Sequence, residues 1–188
     1  MVHFLQIARN IDVVPLRAAL AEQPWLWGQH PQRACAPDSP HRAMSDIWVR
    51  YNDPANAGPA FHDPHDSVWY PAYAALPELQ PLIFGLMHLV GGERLGGVLL
   101  TKIPPGSGID PHIDANWHAD YYEKFTIAIQ NPPGAVFQFP DAAMHAVDGD
   151  AYWFDNSVPH SVRNDSSLER IALIICIQTA QFKRNSHA

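Results

Sequence analysis

The C-terminal half of the chain is divided into many short segments, and this pattern limits the fold most strongly. Between residues 95 and 179, short apolar or alternating runs are separated by Pro, Gly, Asn and Asp. Strand-like runs at such regular spacing are typical of a β-sandwich or jelly roll. The 18 Pro and 11 Gly among 188 residues also favour short strands over long helices. The predicted strands cover residues 97–103, 124–130, 135–139, 151–154, 160–163 and 170–179.

The N-terminal half carries two helical patterns. Residues 16–23 follow Asp12, a common helix-capping residue, and Pro15, which is favoured in a first helical turn. Residues 79–90 have apolar side chains at helical spacing and end at Gly91, a suitable C-terminal stop. Both segments are therefore predicted to be helices that support the β-core, and the second is predicted to pack on the back of a sheet.

Between these helices lies one segment with strand character. Residues 46–51 alternate in the manner of a half-buried strand, which predicts that Trp48 and Arg50 share one face. Residues 25–45 are rich in Pro, His and Gln without periodicity, and we predict a loop there.

Taken together, these patterns predict one domain over residues 1–188. Its length is sufficient for one substantial core, and no linker or repeat divides it. We expect an α+β fold that is mainly β, with N-terminal helices in residues 1–94 supporting a β-core in residues 95–179.

Charge and cysteine content exclude several classes of protein. The chain has 12 Lys and Arg against 19 Asp and Glu, a formal net charge of −7. Because binding to phosphates needs clustered Lys and Arg, this charge argues against a protein that binds nucleic acid through a broad basic face. The start lacks the basic and small-residue features of a signal peptide, and no run approaches the roughly 20 apolar residues of a membrane span. Cys35 and Cys176 lack the paired spacing of a zinc site or a disulfide framework. We expect a cytoplasmic protein with reduced thiols.

Three side chains predict a metal site. His112 and Asp114 are two residues apart, so on an extended segment they project to the same side, and His160 is a third candidate before a later strand. Two imidazoles and one carboxylate on one face suit iron(II) and leave positions open for other ligands. A closed zinc site would need a fourth protein ligand. The alternative is a surface turn, because a His-x-Asp pair arises easily by chance in a chain with 11 His.

Arg170 strengthens the prediction of a ligand-binding site. It lies ten residues after His160 and begins the apolar run of residues 171–177, where an unpaired guanidinium is costly. A guanidinium forms a fork that matches a carboxylate. The alternative partner is a neighbouring acid, Glu169 or Asp165.

The order His112-x-Asp114, His160, Arg170 resembles the double-stranded β-helix (cupin-like) oxygenases that use iron(II) and 2-oxoglutarate. More narrowly, residues 153–173, with Phe-Asp-Asn-Ser before His160 and Arg170 after it, resemble the aspartyl/asparaginyl β-hydroxylase branch. Several members of that branch have glycine in place of the ligand carboxylate, whereas Asp114 is present here. The presence of Asp114 favours the three-ligand site that is common to the wider superfamily, including the free-proline hydroxylases. It also weakens the inference that this chain acts on the substrate of the branch.

The resemblance implies a role for each matching residue. His112, Asp114 and His160 would hold iron(II), and Arg170 would pair with the distal carboxylate of 2-oxoglutarate. Lys124 falls where the branch has a basic residue near the cosubstrate, and Thr126 is a candidate for a hydroxyl contact. For Lys124, a surface lysine at a strand end is an equal alternative.

The implied activity is hydroxylation of an unactivated C–H bond by dioxygen, with succinate and carbon dioxide as coproducts. We expect the substrate to be an amino-acid side chain, either free as a small molecule or within a polypeptide. The candidate substrate pocket combines aromatic rings with a charge, although aromatic residues beside a sheet are usually core and Arg50 is equally well explained as a solvated residue. Its residues are Trp48, Arg50, Trp117, His118 and Tyr121.

Other metal clusters and other functions are weaker predictions. His118, Asp120 and His145 lie in loop-like sequence without a matching motif, and the cluster at residues 62–65 has no following arginine. A metal-dependent cupin isomerase or lyase would share the barrel, but it does not need an arginine for a dicarboxylate. A non-catalytic ligand-binding barrel would need no iron.

Overall fold

Two antiparallel β-sheets form the centre of this computed structural model, which describes residues 2–56 and 63–182. Their strands, in chain order, are β1 (Phe4–Ala8), β2 (Ser45–Tyr51), β3 (Val68–Trp69), β4 (Gly92–Ile103), β5 (Ser107–His112), β6 (Glu123–Gln130), β7 (Ala135–Gln138), β8 (Ala143–Met144), β9 (Ala151–Phe154), β10 (His160–Asn164) and β11 (Arg170–Thr179). The larger sheet has seven strands in the order β1-β9-β6-β11-β4-β2-β3. The smaller has four, in the order β5-β10-β7-β8.

Short helices accompany the sheets, and the two longest were both predicted. In the first, Pro15 stands in the first turn and the Asp12 carboxylate accepts a hydrogen bond from the Val14 amide at 3.2 Å. The second is followed by Gly91 at φ 60°, a left-handed conformation that favours glycine. The helices are α1 (Val14–Glu22), α2 (Gln32–Cys35), α3 (Pro71–Ala75), α4 (Leu79–Leu89) and α5 (Trp117–Tyr121), with 3₁₀ turns at Pro24–Leu26 and Pro54–Asn56.

The two faces of the seven-stranded sheet bury different cores. On one face, helices α1 and α4 place Leu16 and Ile83 against sheet residues such as Ile127 and Leu173. On the other face, a second cluster joins the two sheets and includes Ile103, Phe137, Phe154 and Val162. Because helices cover only one face, the other is available for side chains that meet between the sheets.

This arrangement confirms the predicted fold class, an α+β protein that is mainly β with a double-stranded β-helix core. The N-terminal residues nevertheless do more than support that core, because they supply β1, β2 and β3 to the larger sheet. Strand β1 was not predicted, since its five residues are ordered by pairing with β9, where Phe4 lies opposite Phe154. The predicted loop over residues 25–45 was partly wrong, because it contains α2.

The predicted shared face of Trp48 and Arg50 is also wrong. In the pairing of β2 with β4, Trp48 lies opposite Leu99 and Arg50 opposite Val98, so Val49 forms a β-bulge. An extra residue reverses the alternation of side chains beyond it. As a result Trp48 contacts Tyr51, with ring centroids 4.5 Å apart.

Two findings concern membrane-spanning helices and the state of the cysteines. Across residues 2–56 and 63–182, no helix combines the length and apolar character that a membrane crossing requires. Cys35 is exposed and Cys176 is buried, and neither forms a disulfide within the described residues.

Candidate metal centre and adjoining cavity

His112, Asp114 and His160 converge at one end of the smaller sheet. One potential ligand atom of each lies within 4.8 Å of the others, and these three form the only such group in the described part of the chain. The strand pairing explains the convergence, because His112 at the end of β5 lies directly opposite His160 at the start of β10. The amide of Asp114 donates a hydrogen bond to the Asn156 carbonyl at 3.1 Å, which holds the third residue beside this pair.

Both imidazoles are held by backbone carbonyl groups two residues earlier. Nδ1 of His112 donates to the Asp110 carbonyl at 2.8 Å, and Nδ1 of His160 donates to the Val158 carbonyl at 2.9 Å. Each Nε2 lies 3.8 Å from a carboxylate oxygen of Asp114. A hydrogen bond at one ring nitrogen fixes the tautomer and leaves the other nitrogen as a lone-pair ligand.

The protonation states also match a ligand set. Burial lowers the pKa of both His112 and His160, so their imidazoles are neutral at physiological pH. Burial alone would raise the pKa of Asp114, but Lys124 and the two imidazoles outweigh it and hold that pKa well below its usual range. Two neutral imidazoles and one ionised carboxylate on one side of a cavity fit an iron(II) ion with open coordination positions.

Lys124 lies next to this carboxylate. Its ammonium forms a short ion pair with Oδ2 of Asp114, and both side chains are mostly buried. The alternative of an exposed surface lysine is therefore wrong. The pair leaves the other carboxylate oxygen, Oδ1, on the side of His112.

A cavity of about 650 Å³ adjoins the three candidate ligands. Its volume falls within the range typical of small-molecule sites, about 300–1,000 Å³. The wall combines the candidate ligands with cations and aromatic rings, among them His112, Asp114, His160, Lys124, Arg170, Trp48, Tyr51, Trp117 and His118.

Arg170 is a buried cation in the wall of this cavity. Only 4% of the residue is exposed, and its Nε donates to the Asn131 side-chain oxygen at 2.9 Å. Neither alternative acid is its partner, because Glu169 pairs with Lys102 at 3.2 Å and Asp165 pairs with Arg163 at 2.6 Å. Burial lowers the pKa of Arg170 to about 10, which leaves it protonated at neutral pH.

Thr126 presents a buried hydroxyl that has no hydrogen-bond partner among the described residues. The residue is 3% exposed. Thr126 and Lys124 are two residues apart on β6, so they lie on the same face of the larger sheet. A buried hydroxyl without a partner costs about 1–3 kcal/mol. Thr126 is nevertheless not among the residues that line the cavity, so its contact with a bound ligand stays a prediction.

The residues predicted for substrate binding divide into two groups. Trp48, Trp117 and His118 line the cavity, and His118 Nε2 accepts a hydrogen bond from the Gly97 amide at 3.3 Å. Tyr121 does not line it; it is 44% exposed and forms part of a neighbouring surface depression.

Arg50 lies apart from the cavity. Its Nη1 donates to the Ser67 carbonyl at 2.5 Å, and its guanidinium lies over the Trp69 ring, 5.3 Å from the centroid. The bulge at Val49 explains this position, because it moves Arg50 off the face that carries Trp48.

Sequence reasoning missed Arg33, His41 and Tyr51, which also line the cavity. The first two come from the segment predicted to be a featureless loop, where no periodicity or motif marks them. Tyr51 was assigned to the opposite face of β2. A β-bulge leaves no reliable sign in a run of apolar and aromatic residues, so this face could not be predicted.

The weaker metal predictions do not form sites within residues 2–56 and 63–182. His118, Asp120 and His145 are not grouped at ligand distances. His65 lies beside Trp117, with ring centroids 5.0 Å apart. His62, the other histidine of that cluster, lies outside the described residues.

Solved structures with similar folds include several oxygenases. A Trichoplax adhaerens prolyl hydroxylase, solved with a hypoxia inducible factor oxygen degradation domain peptide fragment, has a TM-score of 0.61 and 12% identity over 99% of this chain and 88% of that chain. The viral collagen prolyl hydroxylase of Paramecium Bursaria Chlorella virus-1, in a 2OG complex, has a TM-score of 0.54 and 10% identity over 95% and 97%. A 2OG-Fe(II) oxygenase family oxidoreductase from Burkholderia pseudomallei has a TM-score of 0.54 and 13% identity over 76% and 71%.

At these identities the structural likeness establishes a shared fold. No curated protein matches the sequence. The model of the aspartyl/asparaginyl beta-hydroxylase family matches residues 66–179, which is more than half of the chain and includes every candidate metal ligand. The chain therefore belongs to the aspartyl/asparaginyl beta-hydroxylase family.

Proposed function

We propose that the protein is an iron(II)- and 2-oxoglutarate-dependent dioxygenase that hydroxylates an unactivated C–H bond of an amino-acid side chain, free or within a polypeptide. Succinate and carbon dioxide would be the coproducts. Family membership supports the broader class of an oxidoreductase that acts as a hydroxylase. One observation carries the finer proposal: Arg170 is a buried cation without an acidic partner in the described chain, and it lines the same cavity as the candidate metal ligands.

Each residue of the site has a role in this proposal. His112, Asp114 and His160 would hold iron(II), which together with 2-oxoglutarate and dioxygen supplies the oxidising chemistry when bound. The Arg170 guanidinium would form a paired hydrogen-bonded contact with the distal carboxylate of 2-oxoglutarate. Asn131, which accepts from Nε of Arg170, fixes the direction of that fork.

Lys124 lines the cavity, and Thr126 lies behind it on the same face of the larger sheet. Lys124 orients the Asp114 carboxylate through their ion pair and places a positive charge near the metal. The unpartnered Thr126 hydroxyl would donate to the cosubstrate.

The apolar part of the wall limits access of water to the reacting groups. Leu99, Phe137 and Phe154 line the cavity, and each is at most 7% exposed. Removing water strengthens the interaction of Arg170 with a carboxylate, because charges interact more strongly at low dielectric constant. Trp48, Trp117 and His118 would then contact the substrate.

Two other functions are less well supported. A cupin isomerase or lyase would use the metal centre but gives no reason to bury beside it an arginine that has no acidic partner among the described residues. A non-catalytic barrel explains neither the neutral imidazoles nor the ionised carboxylate at ligand distances.

Anaerobic titration with iron(II) and 2-oxoglutarate tests the proposal. We expect the weak visible charge-transfer band that arises when 2-oxoglutarate chelates protein-bound iron(II). His160→Ala should abolish the band, whereas Arg163→Ala, which breaks an exposed ion pair, should leave it unchanged. Folded wild-type protein that gives no band would refute the cosubstrate assignment. Succinate formation under air then separates an oxygenase from a binding protein.

A further inference from the structure

A segment of the N-terminal region packs directly against the strand end that carries His112. The amide of Asp110 donates to the Pro40 carbonyl at 3.1 Å, and the carbonyl of Asp110 accepts from His112 Nδ1 at 2.8 Å. The neighbouring residue His41 lies beside the imidazole of His112. This segment precedes residue 66, where the family match begins.

Arg33 connects the segment to the larger sheet. Its Nη1 donates to Oδ2 of Asp46 at 2.8 Å, and its Nη2 donates to Nε2 of His41 at 3.2 Å. Asp46 is 5% exposed, so one end of this bridge is fixed in the protein interior. Ser39 closes the turn, because its hydroxyl donates to the Arg33 carbonyl at 2.5 Å and accepts from the His41 amide at 3.1 Å.

His41 forms the contact with the metal centre. Its ring and that of His112 have centroids 4.9 Å apart and planes at 81°, an edge-to-face arrangement. The hydrogen bond from Nδ1 to the Asp110 carbonyl restricts rotation of the His112 ring about its Cβ–Cγ bond but still permits small changes in ring tilt. The neighbouring His41 ring, which is itself held in place, limits this tilt.

We propose that Arg33 is a positioning residue of the metal centre, which acts through His41 to orient the imidazole of His112. The proposal rests on the proposed metal site. Because the guanidinium is planar and forked, it holds Asp46 and His41 at the same time, which a lysine ammonium at this position cannot reproduce with the same geometry.

Titration of the metal-free protein with cobalt(II) alone tests the proposal without any turnover. We expect both Arg33→Met and Arg33→Lys to bind cobalt(II) about 10-fold more weakly or worse, since loss of groups that orient a ligand costs about 10–100-fold in affinity. If Arg33 acted only by its charge, Arg33→Lys would resemble the wild type and Arg33→Met would bind the dication more tightly. Either of those results overturns the proposal.

The role of His41 is tested with a double-mutant cycle. His41→Ala should weaken cobalt(II) binding, and adding Arg33→Met to it should cause little further loss, because the two residues act in series. Additive losses would overturn the proposal. Arg17→Met is the matched control, since Arg17 pairs with Asp148 at 2.5 Å on an exposed surface, and it should leave cobalt(II) affinity unchanged.

One further measurement, urea unfolding, separates loss of affinity from loss of folded protein. Urea unfolding of each variant gives the folded fraction, so that affinity is compared for folded protein only. Unchanged affinity in folded Arg33 variants would show a merely structural role and overturn the proposal. A wild-type protein that does not bind cobalt(II) would instead refute the proposed metal site itself.

Discussion

Arg170 is the residue on which the cosubstrate assignment depends most. Replacing it with alanine should leave cobalt(II) affinity unchanged, because Arg170 is not one of the three grouped ligand residues. The apparent KM for 2-oxoglutarate should rise by about 30-fold or more, since truncating one partner of a buried charge pair costs about 2–5 kcal/mol. Succinate production at a series of 2-oxoglutarate concentrations measures this. An unchanged KM would show that the arginine has another partner.

Buried histidines predict how the stability of the metal-free protein depends on pH. Burial lowers the pKa of His41 to about 2 and of His118 to about 4, whereas both titrate near pH 6.5 in the unfolded chain. Below pH 6.5 the unfolded state therefore binds more protons than the folded state. The free energy of unfolding should fall from pH 6.5 to pH 5, by up to about 1.4 kcal/mol per pH unit for each histidine.

Urea unfolding of the wild type and of His118→Gln at pH 7.5, 6 and 5 measures this contribution. The variant should lose stability less steeply over this range, because it lacks one group that the unfolded chain protonates. Parallel curves for the two proteins would contradict the assignment to His118.

Residue-level prediction succeeded where a motif constrained it. His112, Asp114 and His160 were predicted as a group, and the structure brings them together at ligand distances. Arg33 and His41 could not be predicted, because their positions depend on how residues without periodicity fold back onto a distant strand. The roles of all these residues in metal binding stay predictions.

Among the elements, the pairing of β5 with β10 determines the geometry of the metal centre. Gly108 of β5 lies opposite Arg163, and a Cβ atom there would collide with the backbone oxygen of Val162. Gly108→Ala should therefore displace the two strands that carry His112 and His160. We expect a loss of about 1–3 kcal/mol in the free energy of unfolding, as for other overpacked sites, and weaker cobalt(II) binding.

The matched control is Gly85→Ala in helix α4, where a Cβ atom meets nothing within 4 Å. It should stabilise the protein by up to about 1 kcal/mol, because alanine is a better helix former than glycine, and leave metal affinity unchanged. Urea unfolding and cobalt(II) titration of both variants test the pair. Equal cobalt(II) affinities in Gly108→Ala and the wild type would show that the strand spacing does not control the site.

Elements that depend on local sequence were predicted, whereas elements that depend on distant residues were missed. Strands β9 and β11 were predicted with their observed bounds, since turn residues flank continuous apolar runs. Strand β3, with two residues, and the bulge at Val49 were missed. Both depend on the partner strand, and no local pattern encodes a partner.

At the scale of the whole molecule, the N-terminal residues are part of the larger sheet and of its core. Strand β1 forms one edge by pairing with β9, and β2 pairs with β4. Helices α1 and α4 cover the sheet face opposite the cavity. The residues before 95 therefore contribute strands to the same sheet as the β-core in residues 95–179.

This arrangement predicts that residues 91–188 alone do not fold. The fragment loses five buried residues that cover one face of the larger sheet: Leu16, Leu20, Leu79, Ile83 and Leu86. Burial of each contributes about 1.5–3 kcal/mol, so their loss costs about 7–15 kcal/mol, comparable to the entire stability of a typical domain, about 5–15 kcal/mol. We expect the 188-residue chain to unfold cooperatively in urea and the fragment to show no such transition. A fragment that unfolds cooperatively and binds cobalt(II) would show that the β-core is independent of the N-terminal strands.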